Sequence, residues 1–185
     1  QSILEFMISR INNIKKVNNI IIATTTKPND KKIIELAKKN KVNYYCGSEN
    51  NLTERVLKAS TKFKLDIIIS LTGDCPLIDR GIIEQCLEIF LNNNVNFLSN
   101  CHLRSYPDGM DVQIFYKKLL KQSLKFKYEK KDLEHTTLPI RKNLKKLNYI
   151  NIIAPKELRF PKLGLTLDEK KDFELIKKII KHFKN

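Results

Sequence analysis

Two acids stand where a strand-like run gives way to a loop: Asp74 in "IIISLTGDCPLID" and Asp168 in "KLGLTLDEKK". A hard cation such as Mg²⁺ takes oxygen ligands, keeps several waters, and is held by one or two carboxylates together with substrate phosphates. Two carboxylates delivered by separate strand ends fit that requirement. Gly73 would let the backbone come close to a ligand, and Pro76 stiffens the exit. Each acid also has a plainer reading. Asp74 can be an Asx-turn residue. Asp168, followed by Glu-Lys-Lys, can cap the helix after it.

The surrounding pattern must bring these strand ends together. "NIIIATTT" (Asn19–Thr26), "VNYYC", "LDIIISL" and "VNFLSN" are short apolar runs separated by amphipathic stretches. The first helix is predicted from Ser2 to about Lys15, with Ile3, Leu4, Met7, Ile8, Ile11 and Ile14 on one face. Pro28, Asn29 and Asp30 open a second reaching about Asn40. A third carries Leu52, Val56, Leu57 and Phe63 inward, and Asp79 caps a fourth from Arg80 to about Leu91. Beyond Asn100 the spacing predicts a Pro-Asp-Gly turn, a strand over Asp111–Phe115, two helical stretches and a strand near "NYINIIA". A short strand in "KLGLTLD" then precedes a last helix. Strands alternating with helices predict one α/β domain over residues 1–185, with a mixed, mostly parallel sheet flanked by helices. Ligands of such sheets bind beyond the carboxyl ends of the strands. The residues leaving those ends are "ATTT", "CGSENN", "TGDCPLID", "SNCHLRSYPDG" and Asp168.

Composition narrows the class. Of the 185 residues 42% are hydrophobic, and the apolar runs are strand-sized rather than membrane-sized. There is no basic-then-apolar leader, and the four cysteines (Cys46, Cys75, Cys86, Cys101) form no Cys-x-x-Cys pair. The expectation is a cytoplasmic protein with reduced thiols, no membrane association and no zinc. The formal charge of +15 is concentrated late: residues 116–185 hold 20 Lys and Arg against 8 Asp and Glu. A polyanion-binding surface and a solvated, Lys-rich face both produce such a balance. The basic residues lie mostly on amphipathic helices with no aromatic stacking platform, which favours the solvated face and no nucleic acid partner.

Taken in order, "IIATTTKPND", "CGSENNLTERV", "TGDCPLID", "SNCHLRSYPDGMDVQIF", "EHTTLPIRKN" and "LGLTLDEKKDFELIKKI" resemble a known group. It is the cytidylyltransferase-like family of the spore coat polysaccharide biosynthesis protein F type, related to the acylneuraminate and 3-deoxy-manno-octulosonate cytidylyltransferases. The resemblance covers nearly the whole chain. It implies a Rossmann-like nucleotide-diphospho-sugar transferase fold and a sugar-activating reaction. In that reaction a sugar oxygen attacks the α-phosphorus of a nucleoside triphosphate (CTP) and pyrophosphate leaves. On the resemblance, Asp74 and Asp168 are the catalytic acids and hold Mg²⁺. Thr24, Thr25, Thr26, Gly47, Ser48, Thr72 and Gly73 lie by the nucleotide, with Arg55 just behind. Asn100, Tyr106, Asp108, Gly109 and Asp111 line the sugar side. Glu134 and His135 start a helix near that pocket, where His135 is either a substrate hydrogen-bond partner or a structural cap. A homodimer through the region around Tyr106–Leu120 is implied as well.

The resemblance also predicts a gap. The family carries an "ARxGSxRxxxK"-type phosphate loop after a first strand, and no such loop occurs in this sequence. The absent strand would be central, between "NIIIAT" and "LDIIISL". The expectation is two unpaired strand edges and a chain that is catalytically impaired. Ser70 stands where many relatives carry Arg, and "EHTTLPIRKN" differs from the more usual "EHVTPYIRxN". Three alternatives share these residues: a guanylyl- or other nucleotidyltransferase, a glycosyltransferase of the same fold, and a non-catalytic basic binding module.

Overall fold

The apolar runs become short strands, and in the central ones alternate residues enter different cores. The computed structural model describes residues 1–126 and 129–183. Its strands are β1 (Ile21–Thr25), β2 (Asn43–Gly47), β3 (Ile67–Ser70), β4 (Phe97–Ser99), β5 (Gln113–Tyr116) and β6 (Tyr149–Asn151). The helices are α1 (Ile3–Ile11), α2 (Lys31–Lys39), α3 (Leu52–Lys62), α4 (Arg80–Asn92), α5 (Lys117–Ser123), α6 (Leu138–Arg141) and α7 (Lys170–Phe183). Among the described residues no helix is long and apolar enough to cross a membrane.

Leu98 and Ile114 point into one core with Ile83, Leu87 and Phe90 of α4. Their neighbours Phe97 and Phe115 point into the other, with Leu120 of α5 and Ile140 of α6. Side chains alternate across a strand, so helices on both faces leave no face for water and the strands read as continuous apolar runs. Phe97 and Phe115 are direct register partners with ring centroids 6.4 Å apart.

The strand order is β1-β2 in one sheet and β3-β5-β4-β6 in another. β1 and β2 are parallel, as are β4 and β6, while β5 runs antiparallel to both of its neighbours. Among the described residues β1 and β3 therefore each keep one edge without a strand partner. Both edges face a groove of about 850 Å³, walled by Met7 and Ile8 of α1, Val56 and Ala59 of α3, and Leu87 of α4. The sheet is interrupted where the resemblance placed a further central strand.

Three sequence expectations shift. α1 ends at Ile11 because Asn12 leaves helical geometry and Asn13 has positive φ, although Ile14 still reaches the core. β5 starts at Gln113 rather than Asp111, because the stretch before it is held by side chains: Asn100 Oδ1 accepts from Val112 N at 2.7 Å, and Arg104 grips Asp111. "KLGLTLD" forms no strand, only an isolated bridge between Asp108 and Gly164. Within the segment Tyr106–Leu120, Tyr116 is exposed. Tyr106, Val112, Ile114, Phe115, Leu119 and Leu120 are all buried in the cores of this chain.

Candidate active site

The groove changes character along its length. Its floor is aliphatic, but at the carboxyl ends of β1 and β3 it is lined by Thr24, Arg55, Thr72, Gly73 and Thr136. Four of these five were expected beside a nucleotide.

Thr24 and Thr25 are oriented by Asp30. Its Oδ2 accepts from Thr24 Oγ1 at 2.7 Å, Thr25 Oγ1 at 2.6 Å and Thr25 N at 2.9 Å. These bonds hold the Asp30 carboxyl well below its ordinary 3.8, at about 2. Thr26 follows in the exposed exit from β1. Asp30 also leads into α2, and that helix-opening position is what conceals its second task in the sequence. A lowered folded-state pKa contributes stability above the unfolded value, and that contribution is lost as pH falls toward the folded value. Wild-type stability should therefore carry a loss between about pH 4 and pH 2 that is absent from Asp30→Ala. At neutral pH the variant should be less stable by about 1–3 kcal/mol, because three donors lose their acceptor. Urea unfolding at several pH values measures both effects.

Arg55 lies against the end of β2. Its Nη1 donates to the Ser48 carbonyl at 2.7 Å. A Cβ on Gly47 would sit 3.0 Å from Arg55 Cγ and 2.8 Å from a Tyr45 ring carbon, so glycine is what permits this approach. Burial lowers the Arg55 pKa, with Asp30 and Glu49 acting in the opposite direction. Its Nε is buried without a hydrogen-bond partner. Lys27 pairs with Glu49, tying the exits of β1 and β2 together.

Asp74 and Asp168 are brought close by backbone. Leu167 N donates to the Asp74 carbonyl at 2.8 Å, which fixes Asp168 beside the β3 exit. Upstream, Asp108 N donates to Leu163 O and Leu165 N to Asp108 O, each at 2.8 Å. Gly109 makes this possible. Its φ is +99°, and a Cβ there would lie 2.9 Å from the Leu165 backbone. The plainer readings of both acids lose ground. The Asp74 carboxylate receives the Cys75 thiol at 3.4 Å, and among the described residues it accepts from no backbone N–H. At the start of α7 the capping carboxylate is Asp172, which accepts from Asp168 N and Glu169 N, while Asp168 accepts from Thr166 Oγ1. Among the described residues no group of three His, Cys, Asp or Glu side chains could hold a metal. Two carboxylates with free lone pairs suit a cation that keeps its waters and shares substrate phosphates, as Mg²⁺ does. Burial pushes the Cys75 thiol up to about 12, so it stays protonated and supplies neither a nucleophile nor a ligand. A Cβ at Gly73 would meet open space.

The expected sugar side is largely structural. Tyr106 is 1% exposed and packs with Phe90 and Ile114, so it presents nothing to a ligand. Asn100, also 1% exposed, spends its amide on Val112 N and Met110 O. Asp108 and Asp111 both pair with Arg104. Glu134 and His135 are exposed, and they end a 3₁₀ turn instead of starting a helix. Sequence reasoning missed Asp30 and Thr136. Thr136 lies inside the quoted "EHTTLPIRKN", beside the conspicuous His135.

The carboxyl edge of this split α/β sheet carries threonines, an arginine and two acids. The chain shares its fold with a CMP:2-keto-3-deoxy-manno-octonic acid synthetase (TM-score 0.68, 10% identity, 97% of this chain and 88% of that one). The chain belongs to the cytidylyltransferase family, whose profile matches residues 1–184. It is similar to a cytidylyltransferase from Leptospira borgpetersenii, with 36% identity and a TM-score of 0.92 over 98% of this chain and 76% of that one. It is 33% identical over 181 residues to an uncharacterized Methanocaldococcus jannaschii protein, covering 98% of this chain and 73% of the relative. The spore coat polysaccharide biosynthesis protein SpsF of Bacillus subtilis is 28% identical over 168 residues, covering 88% and 67%.

Proposed function

We propose that this chain forms the body of an Mg²⁺-dependent cytidylyltransferase that joins CTP to a sugar or sugar phosphate, releasing pyrophosphate, for surface polysaccharide or glycan synthesis. The observation that carries the reading is one groove lined by Thr24, Arg55, Thr72 and Gly73, in a chain that matches the cytidylyltransferase family from end to end.

Nucleotidyl transfer asks a protein for position and charge rather than for a covalent intermediate. The Thr24 hydroxyl donates its hydrogen bond to Asp30, which leaves its lone pairs as acceptors on the groove wall. Arg55 offers fixed positive charge toward a polyphosphate. Asp74 and Asp168 would hold Mg²⁺, which when bound neutralises phosphate charge and aligns the leaving group. Gly73 leaves room beside them. We further propose that the slot between β1 and β3 accepts a further strand.

Calorimetric titration with CTP and GTP, with and without Mg²⁺, tests this. Preference for CTP, strengthened by Mg²⁺, is expected. Equal affinity for both nucleotides, or indifference to Mg²⁺, would sink it.

A further inference from the structure

The stretch that carries Asp168 is fixed by hydrogen bonds more than by packing. None of residues 163–168 is fully buried. Among the described residues three backbone hydrogen bonds tie it to the loops at the strand ends: Asp108 N to Leu163 O, Leu165 N to Asp108 O, and Leu167 N to the Asp74 carbonyl. Two of the three end on Asp108. Where Asp168 stands therefore depends on where the Asp108 main chain stands.

Asp108 lies in a turn closed by Met110 N, which donates to Pro107 O at 3.2 Å. The flanks of the turn are anchored, since Tyr106 and Val112 are buried and Asn100 Nδ2 donates to Met110 O at 2.7 Å. Its middle is Gly109, the residue type with the widest choice of backbone conformations and the most freedom to lose. One side chain spans that glycine. Arg104 grips Asp111 with both terminal nitrogens, at 2.9 and 2.8 Å, and its Nη1 pairs with Asp108 at 3.1 Å. A lone exposed ion pair contributes little. A planar fork shared by two carboxylates does more, because it fixes their directions as well as their charge. One acid precedes Gly109 and the other follows it, so the fork favours the turn in which Asp108 N–H and C=O both meet residues 163–165.

We propose that Arg104 is a positioning residue that braces the Pro-Asp-Gly turn and thereby holds Asp168 at the β3 exit beside Asp74. Among the described residues it makes no bond to either of those acids and acts through Asp108. Its consequence for Mg²⁺ rests on the nucleotidyltransferase reading and deepens it.

Amide exchange followed by NMR, and calorimetric titration with CTP with and without Mg²⁺, test the brace. Wild type is compared with Arg104→Met, Arg104→Lys and Asp111→Ala, and with Arg80→Met, which removes only an exposed pair with Glu84. Without metal, Arg104→Met should speed solvent exchange at the Leu165 and Leu167 amides about tenfold, with the amides of β4 and β5 unchanged. Arg104→Lys should restore part of the protection, and Arg80→Met should match wild type throughout. Fewer molecules then hold both acids in place, so the Mg²⁺-dependent gain in CTP affinity should shrink about threefold in Arg104→Met and in Asp111→Ala alike. These two variants change the local charge in opposite senses, and opposite shifts of the gain would mark a purely electrostatic role and overturn the proposal. Unchanged exchange at the two leucines in Arg104→Met would also overturn it. So would equal acceleration across β4 and β5, the sign of a general loss of stability. Indifference of wild type to Mg²⁺ would instead sink the nucleotidyltransferase reading, and the metal-free exchange would still decide whether Arg104 holds the segment.

Discussion

Replacing Asp74 by Asn should abolish the Mg²⁺-dependent increment in CTP affinity and, where turnover is measurable, lower kcat by about a hundred- to a thousandfold. The substitution keeps shape and removes charge. Its structural cost should be small, because the side chain's partner is one thiol at 3.4 Å. Melting temperature should therefore hold while Mg²⁺ dependence disappears, and this contrast separates a working acid from a turn-former. Asp168→Asn should behave alike, and the double variant should be little worse than either single one, since groups that act as a unit are not additive. Full Mg²⁺ dependence in Asp74→Asn would return the residue to the turn.

The second large effect concerns the slot. β1 and β3 each present an unpaired edge to an aliphatic groove of about 850 Å³, and exposed edges over apolar surface invite self-association. A segment of about five alternating Val and Ile residues, joined ahead of α1 by a flexible Gly/Ser linker, matches the length of β1 at the usual strand rise. Each aliphatic side chain it buries contributes about 1.5–3 kcal/mol, offset by about 1–2 kcal/mol per residue for backbone ordering. Hydrogen bonds to two edges tip the balance by a few kcal/mol, which corresponds to a rise in Tm of about 5–15 °C for a chain of this size. Binding of a hydrophobic dye should fall in parallel. No change in either measurement would show that the groove does not accept a strand.

What could be read from residue order was the alternation of elements and the identity of the strand ends. β3, α4 and Asp79 as cap were legible because the Ile run and the Asp-Arg-Gly start are local signals. The Asp79 side chain does accept from Ile82 N, at 3.1 Å. Asp30 was legible only as a helix opener, because a carboxylate gathering three donors from the preceding strand end is a contact in space. The resemblance put Tyr106 on the sugar side, and its 1% exposure is a property of the fold that residue order beside Pro-Asp-Gly does not show.

The segment carrying Asp168 belongs to neither sheet. It hangs from the Asp108 backbone through two hydrogen bonds and from the Asp74 carbonyl through a third. The amide protons of Leu165 and Leu167 are thus a latch on the acid pair. Whenever that latch lifts, the two carboxylates part without any strand having to unfold, and local openings of this kind cost less than global ones. Deuterium uptake at the amides of these two leucines is therefore the expected measure of how often the segment carrying Asp168 lifts away from Asp74.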